Sequence, residues 1–223
     1  MSIVGIDQSL SGTGIVEIGT DGSLKRSQLL GPGKLLGVRR LDFITEKIID
    51  FLSEIKERFV VSREGYSFAS KGRSIFNLGE LGGCIDLVLF RSKIPNLVEY
   101  YILPPTVVKK FCLGSGSVKK DSSYLLAVFK KLEIEFKNDN QADAYMIATT
   151  LLGFKKAICL QQGFDHENFV NLLDVAKKEA LLSTLLSAKG SGVTKSVVKT
   201  MSHVDFANNV SNVIEQYKVF SRV

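Results

Sequence analysis

Four acidic residues stand where a carboxylate is expensive to keep. Asp7 closes the apolar run of residues 2–6 and meets a Gly/Ser-rich turn over residues 8–14. An Asp in a half-buried strand costs free energy to desolvate unless it is paired or binds a cation. Glu64 follows Val60-Val61 by the same logic, near the end of an expected central strand. Asp139 and Asp143 are spaced i, i+4, which puts both on one helix face. Asp143 is flanked by Ala142 and Ala144 in an otherwise apolar stretch. Each has a plainer reading: Asp7 as the partner of the turn behind it, Glu64 as a solvent-facing residue, Asp139 as an N-cap. Together they bring carboxylates from three separate chain regions to element ends. Converging carboxylates repel unless hard cations sit between them, and an all-oxygen site suits Mg²⁺ or Mn²⁺. Two such ions close together stabilise both the attacking water and the leaving 3′ oxygen of a phosphodiester.

A basic segment follows the same lead. Residues 104–121 carry Lys109, Lys110, Lys119 and Lys120 against a single Asp121. The two Lys pairs flank Gly114-Ser115-Gly116-Ser117, a loop whose N–H groups suit phosphates. Lys119 and Lys120 fall at an expected helix N-terminus, where the dipole favours anions. A solvated basic loop is the plainer alternative. Arg63, Lys71 and Arg73 add positive charge around Glu64, and Tyr66 and Phe68 lie between them. That interleaving suits base stacking, although core packing of one ring explains it equally well.

The composition narrows the chemistry. The 223 residues include 29 Lys plus Arg and 23 Asp plus Glu, a net charge of +6, with two His, three Cys and no Trp. Cys84, Cys112 and Cys159 are odd in number and far apart, which excludes a disulfide framework and a CxxC zinc pair and points to a reducing compartment. His166 and His203 are too few for a His-rich metal site. No apolar run reaches the roughly 18 to 20 residues of a membrane span, and residues 1–6 lack the basic start of a secretory signal. A cytoplasmic protein is expected. Carboxylates, Lys and Arg remain as the chemical resources.

The elements that must carry these residues alternate strand and helix. Residues 2–8, 14–18 and 23–30 read as strands in an antiparallel meander, with Asp21-Gly22 as a hairpin signal. Residues 38–59 carry Leu41, Ile44, Ile48, Phe51, Leu52 and Ile55 at helical spacing. A strand from Val60, a helix over 76–90, a strand over 98–103 and a short helix over 106–113 follow. Gly79, Gly82 and Gly83 inside the second helix suggest close backbone packing or a close partner, since Gly is costly within a helix. Helices are expected over 119–132 and 141–154. The fold class is therefore α/β, a mixed sheet flanked by helices, in a domain over residues 1–154. Residues 155–223 read as a helical C-terminal extension, with helices over 165–189 and from Ser202 to Tyr217. The charge divides evenly, 20 basic against 17 acidic in residues 1–154 and 9 against 6 in the remainder, so the tail is not a basic arm.

These pieces resemble RuvC-type Holliday junction resolvases of the RNase H-like superfamily. The resemblance runs over residues 1–154. It rests on Gly5-Ile6-Asp7-Gln8-Ser9 with Thr13-Gly14, on Glu64 to Phe68, on Leu78-Gly79-Glu80-Leu81-Gly82-Gly83, on the stretch Val108 to Lys120, and on Ala142-Asp143-Ala144. Gln8 replaces the usual Pro, and the wording around Glu64-Gly65-Tyr66 and Asn138-Asp139-Asn140 looks more like phage or viral versions.

The resemblance implies a Mg²⁺-dependent (or Mn²⁺-dependent) endodeoxyribonuclease with two ions, acting on four-way junctions as a homodimer in DNA recombination or repair. Asp7, Glu64 and Asp143 map onto metal ligands. The fourth ligand position falls at Asn140, a departure, which makes Asp139 the better candidate. Lys109, Lys110, Lys119 and Lys120, with Arg73, Tyr66 and Phe68, are the expected DNA contacts. Three alternatives stand beside this reading: a nuclease of broader taste for branches and flaps, a catalytically silent junction-binding relative, and an actin-like phosphotransferase. The last needs a second phosphate loop that the sequence lacks.

Overall fold

The computed structural model describes residues 1–66, 73–113, 136, 138–159 and 203–222. Strands β1 (Ser2–Asp7), β2 (Thr13–Ile18) and β3 (Leu24–Leu30) form the expected meander. Helix α1 (Gly37–Ser53), β4 (Phe59–Glu64), α2 (Arg73–Arg91), β5 (Leu97–Leu103) and α3 (Pro105–Leu113) follow. Then come α4 (Asp139–Cys159), α5 (His203–Glu215) and β6 (Lys218–Ser221). The sheet order is β3-β2-β1-β4-β5-β6. β1 pairs antiparallel with β2 and parallel with β4, and β4 pairs parallel with β5. The mixed α/β sheet anticipated from the sequence is therefore the observed one.

Strand alternation sorts the core onto two faces. Val4, Ile6 and Val61 point to α1 and α2, where Ile44, Ile48, Phe51, Leu81, Ile85 and Leu89 meet them. Ile3, Val16 and Val60 point the other way, to α3, α4 and α5. β1 and β2 are buried along their whole length, which explains their nearly continuous apolar runs. The Asp21-Gly22 turn closes as expected, with Gly22 at φ 89° and its amide bonded to the Gly19 carbonyl at 3.0 Å.

The C-terminal region contains a strand that the helical reading of the tail does not include. β6 pairs antiparallel with β5, with Tyr100 opposite Phe220. It covers the edge that β5 would otherwise present. Val210, Val213 and Ile214 of α5 join the core beside α4. The expected helices over 119–132 and 165–189 lie outside the described residues.

Candidate functional site

The β1–β4 ladder is registered from Ser2↔Phe59 to Ile6↔Arg63. Asp7 and Glu64 come next, as the last residues of two adjacent parallel strands. Alternation puts Asp7 on the face of Ile3 and Gly5, and Glu64 on the face of Val60 and Ser62. That is the face covered by α4. A Cβ on Gly5 would lie 2.0 Å from the Ala144 carbonyl oxygen, and one on Gly14 would lie 2.1 Å from that of Asn140. The two glycines let the helix backbone rest directly on β1 and β2.

The same contacts give the helix its direction. Ser62 Oγ donates to the Ile147 carbonyl at 3.4 Å. Asp143 lies four residues earlier, about 6 Å along the axis, and Glu64 lies two residues further along β4. Both displacements lead towards the C-terminal ends of the strands. Asp7, Glu64 and Asp143 thus share one end of one sheet face. Asp7 is 6% exposed and Asp143 7%, while Glu64 is half-buried. Among the described residues no group of three or more His, Cys, Asp or Glu side chains is drawn tightly enough to enclose a metal ion. The elements bring the carboxylates to one place without closing them around a common point.

Asn138, not Asp139, caps α4: its Oδ1 accepts the Gln141 amide at 2.9 Å. Asp139 is left in the first turn, where the helix dipole favours a carboxylate, i, i+4 from Asp143. Asn140 Nδ2 donates to the Gly12 carbonyl at 2.6 Å and ties the helix to the turn after Asp7. Thr13 Oγ1 donates to the Ser9 carbonyl at 2.8 Å and accepts the Ser9 amide at 3.2 Å, closing that turn on itself. Gln8 Oε1 is buried in the same turn with no hydrogen-bond partner. The donor chemistry, carboxylates from three elements at one end of one sheet face, fits a hard divalent cation.

The positive charge beside Glu64 is arranged differently from the sequence reading. Arg63 is not a surface cation; it is fully buried. Its Nε and Nη2 donate to Asp86 at 2.8 and 2.7 Å, and its Nη1 donates to the Glu64 carbonyl at 2.8 Å. Burial opposes its charge, but the Asp86 bonds outweigh this and hold the guanidinium above its ordinary pKa. Tyr100 Oη donates to the same Asp86 at 2.5 Å, and burial pushes the Tyr100 hydroxyl well up. The signal for this cluster was present in the sequence. Phe59, Val61 and Arg63 alternate onto one buried face, and an inward Arg there requires a carboxylate such as Asp86 among the apolar residues of α2.

Tyr66 lies against α2, its hydroxyl donating to the Gly79 carbonyl at 3.1 Å and its ring 5.3 Å from the Arg63 guanidinium. Gly82 makes room for it, since a Cβ there would lie 2.2 Å from the Tyr66 oxygen and 2.9 Å from Gln8 Oε1. Gly79 and Gly83 face open space. Lys109 and Lys110 lie on α3, which begins just beyond the end of β5 and hence at the same sheet end as Asp7 and Glu64. Phe68, Lys119, Lys120 and the side chain of Arg73 lie outside the described residues.

No family model matches the chain, and no curated protein matches it in sequence. Solved structures do match. The chain is similar to RuvC of Thermus thermophilus, with a TM-score of 0.53 and 20% identity over 67% of this chain and 92% of that one. It is similar also to T. thermophilus RuvC in complex with a Holliday junction substrate, with a TM-score of 0.52, 20% identity and the same coverage. The fold is accordingly the RNase H-like α/β fold of RuvC.

Proposed function

We propose that this protein is a structure-selective DNA endonuclease that resolves four-way junctions. The observation that carries the reading is the convergence of Asp7, Glu64 and Asp143 at one end of the sheet face under α4. The likeness of the fold to a RuvC structure solved with a Holliday junction substrate supports the substrate class. Asp7, Glu64 and Asp143 would hold two divalent ions, Mg²⁺ or Mn²⁺, with Asp139 as the fourth carboxylate. When bound, such ions supply Lewis-acid stabilisation of the attacking and leaving oxygens of a phosphodiester. The chain's own part is to seat the DNA. Lys109 and Lys110, with Lys119, Lys120 and Arg73, contact phosphates, and Tyr66 with Phe68 offers rings against unstacked bases.

A four-way junction is two-fold symmetric, so paired cuts call for a C2 dimer. On α2 the exposed residues Phe76, Glu80, Gly83, Leu87 and Phe90 are spaced alternately by four and three. Phe76 is 79% and Phe90 67% exposed. This seam suits the same helix of a second copy.

The test is cleavage of a synthetic four-way junction, a Y-fork and a plain duplex side by side with Mg²⁺. The junction should be cut at least tenfold faster than the others. Asp143→Asn should abolish cleavage while leaving junction affinity within a few fold. Full cleavage by that variant would overturn the ligand assignment, and equal cutting of the Y-fork would give a broader branch nuclease. One observation favours a second reading, a catalytically silent junction-binding relative. Asn140 occupies the expected fourth-ligand position, and its amide is used to hold the Gly12 carbonyl. Junction binding by the unaltered protein without cleavage in Mg²⁺ or Mn²⁺ would establish that reading.

A further inference from the structure

Glu64 is the last residue of its strand, and the ladder between β1 and β4 ends one residue earlier, at Ile6↔Arg63. β5 continues alongside, with Glu64 opposite Leu103 and the Gly65 amide on the Leu103 carbonyl at 2.7 Å, so it is on the β1 side that the strand end needs another support. The structure supplies a cluster on the opposite sheet face, in which Arg63 and Tyr100 are buried and Asp86 is partly exposed. Arg63 spends Nε and Nη2 on both oxygens of Asp86 and Nη1 on the carbonyl of Glu64, all within 2.8 Å. Tyr100, from the neighbouring strand, fixes the same Asp86 through a bond of 2.5 Å. The guanidinium lies 5.3 Å from the ring of Tyr66, the next aromatic after Glu64.

Stability alone does not explain the cluster. Preceding inward positions of β4 are Phe59 and Val61, and an apolar residue at 63 would fill the same space without a buried charge. A buried ion pair contributes little net stability relative to well-packed apolar residues. What it adds is direction, because a bidentate guanidinium is a rigid fork. Groups that touch no metal but orient the ligands typically change metal affinity or activity by about 10–100-fold.

We propose that Arg63, Asp86 and Tyr100 are positioning residues that fix the end of β4, setting the Glu64 carboxylate for a divalent cation and Tyr66 for the nucleic acid. The proposal rests on the reading of the carboxylates given above. The cluster acts from the face opposite α4, so its members touch neither the cation nor the DNA.

Tyr100→Phe removes one hydroxyl and no volume, and Arg63→Lys keeps the charge but loses the fork. Two readouts that need no turnover decide the matter. The first is amide hydrogen exchange over residues 59–66 in the DNA-free protein. Both variants should raise exchange at Glu64, Gly65 and Tyr66 at least tenfold, leaving β1 and β2 unchanged. The second is Mn²⁺ binding to DNA-free protein, followed by electron paramagnetic resonance. Both variants should weaken it about tenfold, against complete loss of the site in Glu64→Gln. Unchanged exchange, or raised exchange with unchanged Mn²⁺ affinity, overturns the proposal. If the unaltered protein binds no Mn²⁺, the reading of the carboxylates fails instead, and the exchange measurement alone then decides whether the cluster holds the strand end. Should Arg63→Lys fail to fold, Tyr100→Phe carries the test.

Discussion

At the scale of single residues, glycines decide how closely the site can be built. Gly5 and Gly14 lie under α4, and a Cβ on either would come within 2.0–2.1 Å of a helix carbonyl oxygen. Backbone cannot swing aside as a side chain can, so Gly5→Ala must lift α4 away from β1. Overpacking of this kind costs about 1–3 kcal/mol, and the lift carries Asp143 away from Asp7. Denaturant unfolding should show the loss, and cleavage should fall together with it. Gly79 is the control: a Cβ there meets nothing within 4 Å. Gly79→Ala, in the middle of a helix, should stabilise by roughly 0.5–1 kcal/mol. If both substitutions proved neutral, the helix would not rest on the strand as described. Asp7 and Asp143 were legible from the sequence because each interrupts an apolar run, and Glu64 because it follows Val60-Val61 near a strand end. The glycines' role was not, because it depends on a helix more than a hundred residues away. Arg63 was misread for a related reason. Its local neighbours are charged, and only the face on which β4 places it reveals the need for Asp86.

Among the elements, β6 is the one that local patterning missed. Four residues, Lys218–Ser221, are too short to separate from the end of α5 by periodicity. What makes them a strand is tertiary: the open edge of β5 and a set of anchors. Phe220 packs on Tyr100 and Phe90, with centroids 5.6 and 6.0 Å apart. Arg222 donates to the Leu89 carbonyl at 2.5 Å and so caps α2. Glu99 of β5 pairs with Lys155 of α4 and, at 3.3 Å, with Lys218 of β6. Burial raises the pKa of Glu99, but the hydrogen bond and charge of Lys155, with Tyr101 and Lys218, outweigh this and leave it lowered. A carboxylate lowered in the folded state adds stability that is full above its unfolded pKa, about 4.3, and is lost as pH falls through the folded value. Glu99→Gln should therefore weaken the docking of β6 at pH 7, seen as faster amide exchange in residues 218–221. The difference between variant and unaltered protein should shrink as pH falls below about 4. A difference that persists in acid would show that Glu99 acts through packing and not charge. The longer elements were legible because each repeats its period several times. Leu41, Ile44, Ile48, Phe51 and Leu52 are buried as their spacing predicts.

For the whole molecule, the charge and the exposed seam on α2 bear on the same question of assembly. The net charge of +6 is modest, yet residues 93–131 alone hold 7 basic and 2 acidic residues. Lys109 and Lys110 in that stretch lie on α3, which begins at the sheet end of the carboxylates; under the proposed function one sign serves phosphates and the other cations. A single copy offers one such site, and a four-way junction requires two, related by a two-fold axis. The row Phe76, Glu80, Gly83, Leu87 and Phe90 lies on the outer face of a helix whose inner face is spent on the core through Leu81, Ile85 and Leu89. Three large apolar side chains left in water on one helix face favour association, and with Gly83 between them this row is the proposed dimer contact. Leu87, 47% exposed, is a cleaner target than Phe90, which also supports β6. Leu87→Glu should place two like charges near the axis and convert a dimer to a monomer in sedimentation. Its effect on cutting is distinctive. On a cruciform carried by a plasmid, two coordinated nicks give a linear product, whereas a lone nick gives an open circle. The variant should shift the product from linear to open circle while the rate of first cutting changes less. Unchanged sedimentation would show that α2 is not the seam, and linear product from a proven monomer would break the link between dimerisation and paired cutting.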